Sequence, residues 1–315
     1  MIKKLLLASP RGFCAGVVRA VDIVKIALEA YTDPLYVRKE IIHNPHVVKE
    51  LAEKGAIFVD SVEDVPEGQR VIFSAHGVSP EVRKKAAARS LEVIDATCPL
   101  VTKVHIEALR YAEQDYTIIL IGHAGHDEVI GTMGEAPEHT RLVKTMEDIE
   151  DLEVEDPEKV AYITQTTLSL QDTQEMVEAL RKKFPSIAGP PSEDICYATE
   201  NRQVAVKELA SLSDLILVVG AANSSNSNRL VEEAERAGTR AYLINDLHSI
   251  QDEWLEGVEI LGLTSGASAP ESLVSEIATF FQGRGAVLEE LRVREENVQF
   301  GLPSNLKQQQ THLTS

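Results

Sequence analysis

The chain has 315 residues, 43% of them hydrophobic, so it is long enough to bury the cores of two or three domains. Its 31 Lys and Arg against 50 Asp and Glu give a formal net charge of −19, which repels a phosphate backbone and disfavours nonspecific nucleic-acid binding. No apolar run is long enough to cross a bilayer or to form a signal segment, so we expect a soluble, cytoplasmic protein.

The only cysteines, Cys14, Cys98 and Cys196, are spaced by about a third of the chain. An odd number without close pairs excludes a closed disulfide framework, and no CxxC motif suggests a zinc knuckle or a thioredoxin-type redox pair. Buried, inert thiols are the simplest interpretation of such a set. The segments that follow the cysteines point to a different one.

The same order of predicted elements follows each cysteine: a helix with apolar residues at helical spacing, then two apolar strands. In chain order the predicted strands are 35–42, 70–73, 116–121, 160–163, 215–219 and 259–263. Each predicted strand runs into small or polar residues. His43, His126 and Asn226 recur at similar distances from their cysteines, and so do His76, Thr166 and Ser268. Ser224 and Ser225 directly precede Asn226 in the same polar cluster.

This recurrence indicates three related units. Strands alternating with helices predict parallel sheets, and such sheets bind ligands beyond the carboxyl ends of their strands. We therefore expect three similar α/β lobes around a pseudo-threefold axis, with the polar residues and the cysteines converging on one central site. The predicted boundaries are 1–97, 98–195 and 196–285 for the lobes and 286–315 for a C-terminal extension, whose last dozen residues we expect to be flexible.

Three converging thiolates would repel one another without a cation, which leaves zinc or an iron–sulfur cluster as candidates. Pro99 predicts that Cys98 is a helix N-cap, where the helix dipole favours a thiolate. Structural zinc takes a fourth ligand and usually closely spaced pairs, and neither is visible. A cluster with three cysteine ligands leaves one iron for substrate, so the cluster is favoured and zinc remains the alternative.

The polar residues after the strands, together with glycine-rich loops and helix N-termini, suit a phosphate or diphosphate group. Glu128 lies two residues beyond His126, and nearby thiolates and an anionic ligand would favour its protonated form. Glu128 is therefore a candidate general acid, with a first-turn acid that complements the helix dipole as the alternative. No GxxxxGK[ST] or GxGxxG motif supports nucleotide binding, so electrons would arrive from a partner protein.

Eight segments carry a more specific signal. In order they are PRGFCAGV (10–17), SAHGV (74–78), DATCPLV (95–101), GHAGH (122–126), TQTTL (164–168), DICYAT (194–199), NSSNSN (223–228) and GASAP (266–270). Together they closely resemble the 4-hydroxy-3-methylbut-2-enyl diphosphate reductase family of the non-mevalonate isoprenoid pathway. The resemblance covers about residues 5–300.

The resemblance implies a three-lobed α/β fold around a 4Fe–4S cluster held by Cys14, Cys98 and Cys196, with an open fourth iron whose loss would leave a 3Fe–4S remnant. It implies a diphosphate site formed by His43, His76, Ser224, Ser225, Asn226 and Ser268. His126 and Thr166 would belong to the substrate pocket and the proton network, with Glu128 as the proton donor.

The implied reaction is the reductive removal of the allylic hydroxyl of (E)-4-hydroxy-3-methylbut-2-enyl diphosphate, which gives isopentenyl and dimethylallyl diphosphate. A ferredoxin or flavodoxin type donor would supply the electrons. Two alternatives stay open at this point: an iron–sulfur sensor or binding module without catalysis, and a zinc-dependent phosphohydrolase.

Overall fold

Three parallel β-sheets form the framework of the protein, in a computed structural model that describes residues 2–304 and 306. In chain order the strands are β1 (Lys4–Ser9), β2 (Leu35–Arg38), β3 (Ala56–Val59), β4 (Arg70–Phe73), β5 (Glu92–Asp95), β6 (Thr117–Ile121), β7 (Thr140–Val143), β8 (Val160–Thr164), β9 (Leu215–Val219), β10 (Arg240–Ile244), β11 (Ile260–Ser265) and β12 (Val287–Arg292).

The helices are α1 (Ala15–Ala30), α2 (Pro45–Glu53), α3 (Pro80–Ala88), α4 (Pro99–Ala112), α5 (Asp127–Glu135), α6 (Met146–Glu150), α7 (Leu170–Lys183), α8 (Tyr197–Ala210), α9 (Ser225–Arg236) and α10 (Glu271–Gly283). Short 3-10 helices lie at Val62–Asp64, Leu247–Ser249 and Asp252–Leu255. Within the described residues, no helix combines the length and the apolar character needed to cross a membrane.

The described residues fall into two compact units. The first takes those within Met1–Ala15, His43–Val47 and Tyr197–Gln299, and the second takes those within Gly16–Ile42, Val48–Cys196 and Phe300–Ser315. The first unit contains one sheet, in the order β10-β9-β11-β1-β12. The second unit contains two, β3-β2-β4-β5 and β7-β6-β8. The prediction of three α/β lobes with parallel sheets is confirmed.

Strand β9 shows how the sequence builds the first sheet. All five of its residues are buried, as expected for an inner strand of a parallel sheet covered on both faces. Because side chains alternate along a strand, Leu217 packs in the same core as Phe281 of α10, whereas Val218 packs in the core that contains Leu209 of α8. The carboxyl end of β9 is thereby fixed between two helical layers.

The first and last strands of the described chain, β1 and β12, belong to the same sheet. Strand β1, within the predicted first lobe, pairs with β11 and β12 in the first unit. Its Leu5 and Leu6 are buried in cores on opposite faces of the sheet, so the strand needs neighbours on both sides. The predicted C-terminal extension contributes β12 as the edge strand of that sheet. The last dozen residues, predicted to be flexible, lie outside the described residues except for Ser304 and Leu306.

Candidate functional site

Each of the three cysteines directly precedes the first residue of a helix. Helix α1 begins at Ala15, α4 at Pro99 and α8 at Tyr197. Cys98 is the N-cap of α4 with proline at the first helical position, which confirms that prediction. All three thiols are half-buried, and none forms a disulfide. The positive end of a helix dipole favours a thiolate, the form of cysteine that binds metals.

In the first unit, Ser224 and Ser268 lie beside His43. Ser224 caps α9, and its Oγ accepts hydrogen bonds from the Ser227 amide at 3.3 Å and the Ser227 hydroxyl at 3.0 Å. The Oγ of Ser268 lies 3.5 Å from the Oγ of Ser224 and donates to the His43 carbonyl oxygen at 3.0 Å. The His43 ring meets Asn223, with Nδ1 at 3.3 Å from the Asn223 amide nitrogen. Hydroxyl and imidazole groups therefore share one edge of this unit.

Asn226 joins this group to the first cysteine. Its Oδ1 accepts a hydrogen bond from the Ala267 amide at 2.9 Å, and its Nδ2 donates to the Thr199 Oγ1 at 3.3 Å. On the other side of the same residue, the Ala267 carbonyl accepts the amide hydrogen of Cys14 at 3.2 Å. The loop after β11 thus lies between the Asn226 side chain and the Cys14 backbone.

Two glycines allow α9 to begin directly against the strand ends. Gly220 follows β9 and Gly266 follows β11, and both face Ser227. A Cβ at Gly220 would lie 2.2 Å from the Ser227 Oγ, and one at Gly266 would lie 2.0 Å from it. Any larger residue would push the first turn of α9 away from the sheet. The first turn of a helix offers backbone amides that suit an anion, so we expect an anion to bind at this end of α9.

In the second unit, Glu128 is held by Thr166. Glu128 is 3% exposed. Its Oε1 accepts the Thr166 amide hydrogen at 2.6 Å, and its Oε2 accepts the Thr166 hydroxyl hydrogen, with 3.0 Å between Oε2 and Oγ1. The Thr166 carbonyl accepts the Cys196 amide hydrogen at 3.0 Å. One residue therefore connects the candidate acid to the backbone of a candidate metal ligand.

Burial raises the pKa of Glu128 to about 7, although the hydrogen bonds from Thr166 lower it and the charge of Asp194 raises it. A carboxyl group with this pKa is protonated in about half of the molecules near neutral pH. Glu128 does lie in the first turn of α5, as the dipole alternative requires. Its carboxyl is nevertheless directed at Thr166, which the helix dipole alone does not explain.

The two histidines of the second unit lie close together. The rings of His76 and His126 meet edge to face with their centroids 5.9 Å apart. His126 is the N-cap of α5, where its Nδ1 accepts the Glu128 amide hydrogen at 3.2 Å. The Cys98 amide donates to the carbonyl of Ala75, the residue before His76, at 3.0 Å. The second cysteine is thus tied to the loop that carries a candidate substrate-binding histidine.

The predicted site residues therefore form two local groups. The group of the first unit comprises Cys14, His43, Ser224, Asn226 and Ser268, with Ser225 at the first position of α9. The group of the second unit comprises His76, Cys98, His126, Glu128, Thr166 and Cys196. Each group lies where parallel strands end and helices begin, as the repeat predicted.

Asp194 is a site neighbour that the sequence did not single out. Its side chain is fully buried, and its Oδ2 accepts the Thr164 amide hydrogen at 2.9 Å. This bond ties the segment before Cys196 to the end of β8. The signal in the sequence is its position two residues before a cysteine, inside the motif DICYAT.

The donor set fits an iron–sulfur cluster. Three half-buried thiols at helix N-termini supply soft, anionic sulfur ligands, which suit iron–sulfur clusters and zinc. Their number, three, leaves one corner of a cubane cluster without a protein ligand. The residue types present are therefore compatible with cluster ligands.

Comparison with known proteins gives a consistent result. The family model described as LytB protein matches residues 5–282. A 4-hydroxy-3-methylbut-2-enyl diphosphate reductase of Leifsonia xyli subsp. xyli is 55% identical over 307 residues, which cover 97% of this chain and 91% of that protein. A protein of the same name from Pseudomonas savastanoi pv. phaseolicola is 55% identical over 306 residues, covering 96% and 97%.

Solved structures agree with the sequences. The E-1-hydroxy-2-methyl-but-2-enyl-4-diphosphate reductase from Plasmodium falciparum superposes with a TM-score of 0.96 at 40% identity, covering 100% of both chains. A structure of (E)-4-hydroxy-3-methyl-but-2-enyl diphosphate reductase, described as the terminal enzyme of the non-mevalonate pathway, gives 0.64 at 32% identity and covers 90% of this chain and 100% of the other.

Proposed function

Because the chain belongs to the LytB protein family, we propose that it reduces (E)-4-hydroxy-3-methylbut-2-enyl diphosphate to isopentenyl and dimethylallyl diphosphate. The observation that carries this proposal is the 55% identity, over 97% of the chain, to a protein named for that activity. The reaction breaks the allylic C–O bond, consumes two electrons and two protons, forms one C–H bond and releases the hydroxyl as water.

The diphosphate is bound by neutral hydrogen-bond donors and imidazoles. Those of the first unit are His43, Ser224, Ser225, Asn226 and Ser268, and His76 belongs to the second unit. Ser224 and Ser268 lie within 3.5 Å of each other, and α9 begins beside them. Hydroxyls, the Asn226 amide and the amides of a helix N-terminus suit the oxygens of a diphosphate.

Glu128 donates the proton that converts the departing hydroxyl to water. Its burial keeps a proton available near neutral pH, because the ionised form is poorly solvated. When protonated, its Oε2 donates to the Thr166 Oγ1, which lies 3.0 Å away. The Thr166 hydroxyl can then pass a proton onward, and His126 adjoins Glu128 through the bond at the start of α5. The burial of Glu128 and Thr166 keeps bulk water from competing for the proton.

Cys14, Cys98 and Cys196 would hold a 4Fe–4S cluster. When bound, the cluster would supply electrons one at a time and an iron with Lewis acidity, because three cysteines leave one of its four irons without a protein ligand. Loss of that iron would leave a 3Fe–4S form. The chain's own contribution is to hold the three sulfurs and to orient the substrate and the acid.

Electrons come from a ferredoxin or flavodoxin type protein. The sequence contains neither a Walker motif nor a dinucleotide fingerprint, so an internal nicotinamide site has no support. The near-full-length relation to named reductases favours catalysis over the alternative of an iron–sulfur sensor or binding module without turnover.

The test is anaerobic reconstitution of the full chain with iron and sulfide, followed by incubation with (E)-4-hydroxy-3-methylbut-2-enyl diphosphate and a reduced donor. We expect both product diphosphates to form, and cluster-free protein to be inactive. A reconstituted protein with full iron content that leaves the substrate unchanged would contradict the proposal and favour the sensor. Colourless protein with stoichiometric zinc would favour the phosphohydrolase.

A further inference from the structure

Helix α1, which follows the first cysteine, carries a cation that holds the segment before the second. Arg19 lies five residues after Cys14. Its guanidinium donates to the carbonyl oxygen of Thr97, the residue before Cys98, at 3.0 Å, and to that of Gly301 at 2.8 Å. The side chain is half-buried, so these bonds are partly shielded from water.

Helix α4, which follows the second cysteine, repeats this arrangement toward the third. Lys103 lies five residues after Cys98. Its ammonium donates to the carbonyl oxygens of Ser192 at 2.7 Å and Glu193 at 2.9 Å, and to the carboxylate of Asp194 at 3.1 Å. These three residues immediately precede Ile195 and Cys196.

Helix α8, which follows the third cysteine, directs its cation to the segment before the first. Arg202, six residues after Cys196, is fully buried and donates to the carbonyl oxygen of Gly12 at 2.8 Å. Glu296 neutralises the guanidinium through bonds of 2.9 and 3.3 Å. Gly12 lies two residues before Cys14 and has a left-handed φ of +67°.

The three bonds follow a cyclic order along the chain. In each case, a cation in the second turn of the helix after one cysteine holds the backbone that leads into the next cysteine. We propose that these cations are positioning residues for the cluster: Arg19 for Cys98, Lys103 for Cys196 and Arg202 for Cys14. The inference rests on the proposed function, since the ligand role of the cysteines is part of it.

Two physical effects support this role. A hydrogen bond from a charged group to a backbone carbonyl is stronger than one from a neutral group. It therefore holds the backbone before the cysteine, and with it the thiol, within a narrower range of positions. Three thiolates brought close together repel one another, and nearby cations lower the free-energy cost of that repulsion. Removing groups that orient metal ligands typically lowers metal affinity about 10- to 100-fold. A carbonyl oxygen has two lone pairs, so it can accept the bond from the cation in addition to a backbone hydrogen bond.

The test compares iron retention among variants of the full-length, reconstituted protein. The charge-removing variants are Arg19→Gln and Lys103→Gln. Their controls are Lys25→Gln on α1, where Lys25 pairs with Glu50, and Arg110→Gln on the exposed side of α4. The third bond is tested by Arg202→Gln, with Arg294→Gln at an exposed residue as its control.

We expect each test variant to release iron to a chelator about tenfold faster than its control or more, with an altered electron paramagnetic resonance spectrum of the reduced cluster. The unfolding temperatures of cluster-free Arg19→Gln and Lys103→Gln should stay within a few degrees of wild type. Arg19→Lys and Lys103→Arg should restore most of the iron retention, because each keeps the charge and a donor.

Release at the rates of the controls would overturn the positioning role. So would faster release that the conservative variants do not restore and that accompanies a matching loss of cluster-free stability, since that result indicates a structural role only. A wild-type protein that takes up no iron and sulfide would instead overturn the proposed function, and the role of the cations with it.

Discussion

Both carboxyl oxygens of Glu128 are engaged by one residue, Thr166, through its amide at 2.6 Å and its hydroxyl at 3.0 Å. Glu128→Gln preserves the shape of the side chain and its amide partner but removes the acidic proton. We expect turnover to fall about a hundredfold or more with unchanged iron content. Product formation by reconstituted protein measures this, and Glu138→Gln at an exposed position is the control. Unimpaired turnover in Glu128→Gln would remove Glu128 from the proton path.

The pH dependence of turnover should report the same group. Because the pKa of Glu128 is raised to about 7, the fraction that carries a proton falls as the pH rises through 7, and the rate should fall with it. The Thr166 hydroxyl lowers this pKa, so Thr166→Val should move the descending limb to higher pH. The measurement is a pH–rate profile of both proteins. If the descending limb lies at the same pH in both proteins, a group other than Glu128 determines it.

The same carboxyl should make stability depend on pH. Its ordinary pKa is 4.5, so between about pH 4.5 and 7 the folded protein keeps a proton that the unfolded chain releases. The stabilisation from this group is therefore complete below pH 4.5 and is lost as the pH rises through 7, by about 3 kcal/mol for a fully buried group. Urea unfolding of cluster-free protein at pH 5 and pH 8 measures it. Glu128→Gln should lose this part of the dependence, whereas Glu138→Gln should keep it.

Gly266→Ala should weaken substrate binding at the proposed diphosphate site, although Gly266 is not itself a candidate binding residue. The new methyl group would overlap Ser227, which is fully buried and must move together with the first turn of α9. We expect KM to rise about tenfold, because small displacements of binding groups are costly, and stability to fall by about 1–3 kcal/mol. Substrate titration and urea unfolding check the two effects. Gly283→Ala, with no atom within 4 Å of the added carbon, should leave KM unchanged.

Predicted strands with a continuous apolar run agree with the structure to within one or two residues, whereas a strand that is ended by its backbone conformation does not. The predicted strands 70–73 and 215–219 match β4 and β9. The strand predicted over 35–42 stops at Arg38, because Lys39 has a left-handed φ of 59° that extended backbone does not accommodate. A lysine gives no sign of this conformation, whereas a glycine would have done so.

The candidate site also has a part that the sequence predicts and a part that it does not. The helical spacing of the apolar residues after each cysteine predicted that each cysteine would precede a helix, because that signal is local. The contact of Glu128 with Thr166 spans 38 residues and depends on how two strand ends meet, so no local pattern encodes it. The bonds of Arg19, Lys103 and Arg202 are hidden for another reason: they end on backbone carbonyls, which every residue carries.

The pairing of β1 with β11 and β12 also fixes a sequence of events during synthesis. Strand β1 has no partner until β11 is complete at Ser265, and it gains its second partner only when Arg292 has been added. The Gly12 carbonyl meets its arginine only after α8 is made. A nascent chain can therefore form the two sheets of the second unit first, and it completes the sheet that contains β1 last. Under the proposed function, cluster binding that needs Cys14 in place would follow the synthesis of α8 and β11. Protease resistance of ribosome-bound chains of increasing length would record that order.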